Sequence, residues 1–517
     1  MEQIDLSSKN NDYALYLPAL GTFFSSFIGK QRHDPMNIDP KRFPSALQNL
    51  EEFNWLNPQQ SLFPYKWSLY SAGHANLDLN TFAPSEDMVR NRDASSFLVG
   101  DSGGFQIAQG LWPGDWRANS GCPNADKKRT EVLTWLDNVT DYAMCLDIPS
   151  FVLSNPRGVE NTKITNYKEQ VDATKYNNDY FVKHRKGVAN GGTRFLNVLQ
   201  GSNHTEAENW YQIMKQYCDP NIYPDNHFNG WAMGGQNMSD IHLVLKRLVA
   251  FKFDGLLQEG KHDWIHFLGT SKLEWAVLLT ALKRTLRKHV NPSLDISFDC
   301  ASPFFGAARG QVYYENVFPH DGKWSYRMGP CPSDKKYSSD TRPWGDVMIQ
   351  DGIYKNWQHS PISHTLLMND ICVRKPGEVN RHGKEYGTGW DSFSYVILQA
   401  HNVYMHITAV QEANRRFDAG EFPSGMRRST GDYELFTDII EDIFSAPTRE
   451  QASAIIEKYD SYWMEIVGGR GFRGKKTKNS ITMFNNLFEV TANEPENPKD
   501  EQEHVDSDDE MSKALEE

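Results

Sequence analysis

The chain is short of cysteine, of long apolar runs and of net positive charge, and each shortage excludes something. Only six cysteines occur in 517 residues, at 122, 145, 218, 300, 331 and 372, and the nearest two are 23 residues apart. No CxxC or CxC exists, so a disulfide framework is excluded and a reducing, intracellular setting is the natural reading. The fairly apolar stretch 13–28 follows Asp5 and Asp12, is interrupted by Pro18 and has no basic leader. It fits neither a signal peptide nor a membrane anchor, and no other segment approaches spanning length, so no membrane partner is expected and the protein reads as soluble and cytoplasmic. The net charge of −13 argues at first against a nucleic-acid enzyme. Residues 491–517, however, carry eleven acidic and two basic side chains, nine of the thirteen net charges, and leave four over residues 1–490. The body is therefore near neutral with room for a local basic patch, and the acidic tail reads as disordered.

What the chain has in quantity is aromatic residues, with 14 Trp, 22 Tyr and 28 Phe, ample for a large core. It also has a recurring layout: a short apolar run that ends in Asp, Gln or Gly, followed by a polar or helical segment. Runs at 97–100, 142–146, 195–199, 231–233, 264–268 and 294–298 end at Asp101, Asp147, Gln200, Gly234-Gly235, Gly269 and Asp299. The intervals between these ends, 30 to 53 residues, hold a helix and loops each time. Helical periodicity fills 131–142, 205–217, 239–251 and 272–289, with Thr205 and Ser239 as N-caps. Repeated strand–loop–helix units predict an α/β fold, a (β/α)8 TIM-type barrel, with a doubly wound sheet as the alternative although no P-loop supports it. Residues 1–60 read as an N-terminal extension of turns and short elements, and the barrel is placed at 61–415. An insertion rich in Pro, Gly, Trp and Tyr occupies about 301–390. A long helix is expected from about 391 to 417, then a helical and basic C-terminal region at 416–490 with helices near 432–445 and 448–459.

The centre of this pattern is Asp101-Ser102-Gly103-Gly104-Phe105-Gln106. An ordinary turn has the same composition, but a buried parallel strand also delivers an acid to the C-terminal edge of a barrel in this way. With Asp299 at a second strand end, the barrel mouth would hold two carboxylates, the minimum for chemistry at a sugar C1′: one attacks, the other handles protons. Asp299 also reads as a buried acid bonding backbone amides. The remaining strand ends suit a flat base. Asp147 accepts from a purine-like N–H edge, Gln200 donates and accepts, Gly234 and Gly235 present backbone N–H groups, and Phe105 stacks.

In order and rough spacing, Asp101 to Gln106, Asp147, Leu199-Gln200-Gly201, Met233-Gly234-Gly235, Phe298-Asp299-Cys300 with Pro303, and His401-Asn402 resemble the tRNA-guanine transglycosylases. The resemblance covers about residues 95–415. It implies a (β/α)8 barrel that exchanges guanine in a polynucleotide for a 7-deazaguanine base, with no redox cofactor and no energy source. Carried over, Asp299 is the nucleophile and Asp101 the proton acceptor. Asp147, Gln200, Gly234 and Gly235 bind the heterocycle, and Ser102, Gly103, Gly104 and Phe105 shape its pocket.

Two departures refine the comparison. The bacterial-type family holds structural zinc with a CxCxxC and a later His; here Cys372 and His401 remain while Lys375 stands where a further Cys would be. Zinc is therefore not expected unless His359, His364 or His382 substitutes. After Pro303 the family continues Thr-Arg and a further Arg that hold a tRNA loop, whereas this chain reads Phe304-Phe305-Gly306-Ala307-Ala308 with Arg309 as the one basic group. Kept chemistry with an altered tRNA grip resembles the DNA-acting 7-deazaguanine paralogues of phages and bacteria, which would place a phage-encoded chain in the host cytoplasm. The expected polynucleotide is DNA, with tRNA as the alternative, and the 7-substituent is of the preQ0 type. Arg309, with Arg470, Arg473, Lys475 and Lys476 of the basic stretch 468–479, is the expected phosphate contact set. A non-catalytic binding subunit and a barrel glycoside hydrolase are the other readings, and an oligomer or a helper protein stays open. Retention of both Asp101 and Asp299 argues against the first. The base-shaped set of Asp147, Gln200 and the glycines argues against the second.

Overall fold

Eight short strands, all running the same way, form one sheet: β1 (Leu15–Pro18), β2 (Trp67–Ser71), β3 (Phe97–Asp101), β4 (Tyr142–Met144), β5 (Arg194–Leu199), β6 (Gly230–Met233), β7 (Trp264–Phe267) and β8 (Asp295–Cys300). The computed structural model describes residues 12–81, 83–238, 240–320, 322–374, 389–428 and 434–469. The strands pair in the order β1-β8-β7-β6-β5-β4-β3-β2. A single parallel bridge, Ala19 to Leu69, draws the two ends together. There Leu20 N–H donates to Leu69 O at 2.9 Å and Ser68 Oγ–H to Pro18 O at 3.1 Å. The result is a nearly closed (β/α)8 barrel of TIM type with a helical C-terminal part, as the repeated strand–loop–helix pattern predicts.

The barrel begins earlier than the sequence reading placed it. β1 lies inside residues 1–60, which read as an extension, and its register sets Leu17 beside Asp299 of β8. Four residues ending in a proline make a weak strand signal, because Pro18 has no N–H to offer the ladder. β2 likewise falls outside the recognised runs. The helices lie close to expectation. The first is the longer Pro123–Val139, opened by Pro123 at its first position, where the missing N–H costs nothing. The others are His204–Met214, Ile241–Phe253 and Leu273–His289. Two caps differ from the reading. Asn203, not Thr205, accepts from Glu206 N–H at 2.9 Å. Asp240 caps the next helix through His242 and Leu243 N–H; Ser239 lies outside the described residues.

Inward-facing aromatics close the bottom of the barrel. Trp67, Phe97, Tyr142 and Trp264 are the first residues of β2, β3, β4 and β7. Trp264 stacks on Phe97 at 5.0 Å between ring centroids and meets Tyr142 at 4.8 Å and Trp67 at 6.3 Å. β7 is bonded to none of these three strands, so the rings meet inside the barrel. Side chains two and four residues further along the same strands therefore also face inward, toward the C-terminal mouth.

Within the described residues the insertion forms regular elements. The helix Ser302–Ala308 follows β8, then an antiparallel hairpin of β9 (Gln311–Val317) and β10 (Ser325–Pro330), then short helices including Trp344–Gln350 and Pro361–Thr365. The long helix Ser392–Asp418 holds this unit through His401 and Asn402. Asn402 Oδ1 accepts from Tyr313 N–H at 3.0 Å, and its Nδ2–H donates to Pro303 O at 3.1 Å and Gln311 O at 3.0 Å. Three helices follow, Phe436–Ser445, Arg449–Lys458 and Asp460–Gly469. The basic stretch from residue 470 and the acidic tail lie outside the described residues. Among the described residues no helix is long and apolar enough to cross a membrane.

Because β1 is a stave of the barrel, a chain beginning at residue 21 is expected to lose its cooperative thermal transition by circular dichroism. A truncated chain that melts as sharply as the full one would show β1 to be an appendage.

Candidate active site at the barrel mouth

Three carboxylates converge where the strands end. Asp101 is the last residue of β3, Asp147 follows β4, and Asp299 lies one residue before the end of β8. Gln200 and Gly234-Gly235 follow β5 and β6 directly. The sequence-predicted residues thus occupy successive positions around one mouth, and neighbouring charges are coupled. Burial raises the Asp101 carboxyl above its usual range, the Asp299 charge adds to this, and a hydrogen bond from Ser71 opposes it.

Each of the two outer carboxylates is held by one oxygen. Asp101 Oδ2 accepts from Ser71 Oγ–H at 2.6 Å and from Gly103 N–H at 3.3 Å. Asp299 Oδ1 accepts from Gly269 N–H at 2.9 Å and lies 3.1 Å from His266 Nε2. Asp101 Oδ1 and Asp299 Oδ2 accept no hydrogen bond among the described residues. An anchored oxygen fixes direction, while an unengaged one keeps its lone pairs for a proton or a carbon centre. The backbone is shaped to allow this. Gly103 has φ of +84°, and a Cβ there would sit 2.5 Å from Trp112, so only glycine turns the chain into the helix Gly104–Gln109.

Asp147 belongs to a different network. Gln200 Nε2–H donates to Asp147 Oδ2 at 2.8 Å. Gln200 Oε1 accepts from Ser150 N–H at 3.3 Å and Ser150 Oγ–H at 3.2 Å, and Ser150 Oγ in turn accepts from Gly201 N–H at 2.9 Å. The network fixes the amide orientation of Gln200 and sets a row of polar atoms on one side of the mouth. Burial lifts the Asp147 carboxyl to about 7, with the Gln200 hydrogen bond opposing and the Asp101 charge reinforcing the shift. Gly235, at φ +57°, turns against Gly201, whose carbonyl would lie 2.7 Å from a Cβ. Ser102 is buried with its hydroxyl unpartnered among the described residues. Phe105 is 38 % exposed, its ring 5.6 Å from that of Phe151.

Neither a family model nor a curated protein matches the chain.

Not every expected residue joins this site. Arg309 is exposed after the helix Ser302–Ala308, and Arg470, Arg473, Lys475 and Lys476 lie outside the described residues. The two residues left from the zinc motif do not fit a metal. His401 has both ring nitrogens engaged, by Ser360 Oγ at 2.7 Å and Tyr313 O at 2.8 Å. Its ring is stacked on Trp357, and burial lowers its pKa to about 3. The Cys372 thiol donates to Pro332 O at 3.2 Å. Among the described residues no three His, Cys, Asp or Glu side chains are arranged to hold a metal ion; His382 falls outside them. Conversely, Ser71, Ser150, His266 and Ser297 were not singled out from the sequence. A histidine at the centre of the apolar run Trp264-Ile265-His266-Phe267-Leu268 was the available signal, since a buried polar side chain in a strand needs a partner.

Asp147 gives a pH prediction. Its folded carboxyl titrates near 7 against about 4 in an unfolded chain, so the folded form binds the extra proton between those values. Stability associated with this group is complete below about pH 4 and is lost as pH rises toward 7. Asp147→Asn is therefore expected to match the wild type near pH 4 and to be more stable at pH 8, by roughly 2–4 kcal/mol. Chemical denaturation at the two pH values measures it; an equal difference at both would refute the shift.

Proposed function

We propose that the chain is a nucleic-acid guanine transglycosylase that replaces guanine in DNA with a preQ0-type 7-deazaguanine. The observation that carries this reading is the pair Asp101 and Asp299. They face one mouth from β3 and β8, each with one oxygen anchored and one unengaged. A flat-base network of Asp147, Gln200 and Ser150 lies beside them.

In this reading Asp299 Oδ2 attacks C1′ of the target nucleotide as the C1′–N9 bond breaks and guanine leaves. An aspartyl–glycosyl ester joins protein and polynucleotide. The incoming base loses its N9 proton to Asp101 Oδ1, its N9 attacks C1′ from the face guanine left, and the Asp299 carboxylate is released, while the proton held by Asp101 passes through solvent to N9 of the departed guanine anion and restores Asp101. Two displacements return the original configuration, and one base replaces another without external energy. Ionised Asp147 accepts from the N1–H and amino group of the heterocycle. Gln200 and the backbone at Gly234-Gly235 meet its other polar edge, and Phe105 stacks on its face. The base contacts Asp147 as a carboxylate, so it also draws that group's titration downward.

The preference for DNA over tRNA rests on the helix after β8. Where the resembling family continues Thr-Arg and a further Arg, this helix opens Phe304-Phe305, and the Phe304 ring packs on Phe24 and Trp55 at 5.8 and 6.3 Å. Phe304 thus serves the core, and the first arginine position is taken by the apolar, half-buried Phe305. A guanine within a duplex has to leave the stack to reach the mouth, which costs a few kcal/mol, and single strands avoid that cost.

Incubation with radiolabelled guanine and, separately, duplex DNA, single-stranded DNA or tRNA tests the proposal. Label is expected in DNA; label in tRNA alone would redirect the reading to tRNA, and label in none would favour a binding subunit. Asp299→Asn is expected to abolish the denaturation-resistant adduct between protein and polynucleotide. Asp101→Asn is expected to keep the adduct while exchange falls about 10²–10⁴-fold.

A further inference from the structure

A chain of buried hydrogen bonds runs from the barrel floor to Asp299. Trp264 Nε1–H donates to Ser297 Oγ at 2.8 Å, the same oxygen lies 2.8 Å from His266 Nδ1, and His266 Nε2 lies 3.1 Å from Asp299 Oδ1. The register of β7 on β8 sets His266 beside Ser297, and both side chains are fully buried. The donors can be assigned in order. An indole N–H only donates, so Ser297 Oγ accepts from Trp264 and has its own proton left for His266 Nδ1. A neutral imidazole whose Nδ1 accepts carries its proton on Nε2, aimed at Asp299. The other tautomer would set a bare nitrogen lone pair against the carboxylate.

We infer that His266, fixed as the Nε2–H tautomer by Ser297 and Trp264, is a positioning residue for Asp299 that governs release of the covalent intermediate. The inference rests on the transglycosylase reading. With His266 and the Gly269 N–H both on Oδ1, Oδ2 is the oxygen that bonds to C1′. Formation of the ester converts the carboxylate to a neutral carbonyl at Oδ1, and the hydrogen bond from His266 weakens. In the second displacement the N9 electron pair of the incoming base forms the new bond to C1′. The C1′–Oδ2 pair returns to Asp299, and charge reappears on Oδ1 beside the waiting N–H. A donor in this position therefore favours release of the ester over its formation. The tautomer matters because only Nε2–H makes His266 that donor, and Ser297, whose hydroxyl pairs with Trp264 and His266 and not with Asp299, sets it.

The test separates the two steps. The protein is charged with an end-labelled, guanine-containing single-stranded DNA, guanine is added as incoming base, and covalent adduct is quantified after denaturation at intervals. His266→Leu is expected to form adduct at close to the wild-type rate and to release it on the order of 10- to 100-fold more slowly, the worth of a hydrogen bond to a charged group. His266→Gln, which keeps a donor near the same place, is expected to recover most of the release rate. Ser297→Ala is expected to slow release without slowing formation, and it carries the kinetic test if the Leu variant does not fold. Release at the wild-type rate in His266→Leu, or in Ser297→Ala where only that variant folds, overturns the inference. So does an imidazole ¹⁵N spectrum of the wild type with the His266 proton on Nδ1 and a bare Nε2. A wild-type chain that forms no adduct with any polynucleotide overturns the transglycosylase reading itself. An Nε2–H signal in that case identifies the failure as one of function and not of the hydrogen-bond assignment.

Discussion

Three carboxylates partly or wholly withdrawn from water, with the Asp101 carboxyl under the influence of the Asp299 charge and that of Asp147 under the Asp101 charge, are the constraint on which the mouth of this barrel depends. Burying an ionised carboxylate is costly unless donors replace its hydration, and like charges nearby add to that cost. The structure meets it unevenly. Asp101 has a serine hydroxyl and one backbone N–H, Asp299 a histidine and a backbone N–H, and Asp147 a glutamine. Asp147, lifted to about 7 chiefly by burial, has the Gln200 amide to oppose that shift. Three acids of one chemical type are thereby differentiated by their partners. Under the proposed function these different partners serve three tasks: one carboxylate bonds to carbon, another takes a proton and a third recognises a base.

The support beneath these acids is aromatic. Because Trp264 belongs both to the ring cluster at the bottom of the barrel and to the hydrogen-bond chain through Ser297, the orientation of Asp299 is tied to core packing as well as to the Gly269 N–H of the turn after β7. Sites carried on strands are held more closely than sites on connecting segments. The other side of the mouth is different. Phe105 lies just beyond β3, in the short helix Gly104–Gln109, and keeps 38 % exposure. Of the residues proposed to bind a base, Phe105 is the exposed one, while Asp147 and Gln200 are buried.

Much of this was legible in the chain, for physical reasons that also explain what was not. β3 and β8 announce themselves because a fully buried parallel strand is a continuous apolar run, and the acid that ends each one interrupts that run. The helices between strands were legible from their periodicity, although their caps were not: Asn203 and Asp240 do the work assigned to Thr205 and Ser239, since an Asx side chain one or two positions away caps the same first turn. β1 was hidden because four residues ending in proline give no periodicity to read. His266 was hidden because its identity as a partner depends on the register between β7 and β8, a property of pairing that no single segment contains. Ser71 and Ser150 escaped for the same reason, since their hydroxyls act across strands. The His401-Asn402 pair was legible as a motif but not as a role. It joins the long helix to the hairpin and to Pro303, four residues after Asp299.

The joint between β1 and β2 has a consequence for the paired acids. Going round the barrel from Asp299 on β8 to Asp101 on β3, the path crosses β1 and β2, and the sheet between those two strands rests on one bridge. Like a hoop with one loose stave, the barrel takes up any change of circumference at its least bonded junction. That junction lies between the two carboxylates. The distance from Asp101 to Asp299 thus spans the least bonded junction of the mouth, while the direction of each acid is set by the donors on its anchored oxygen.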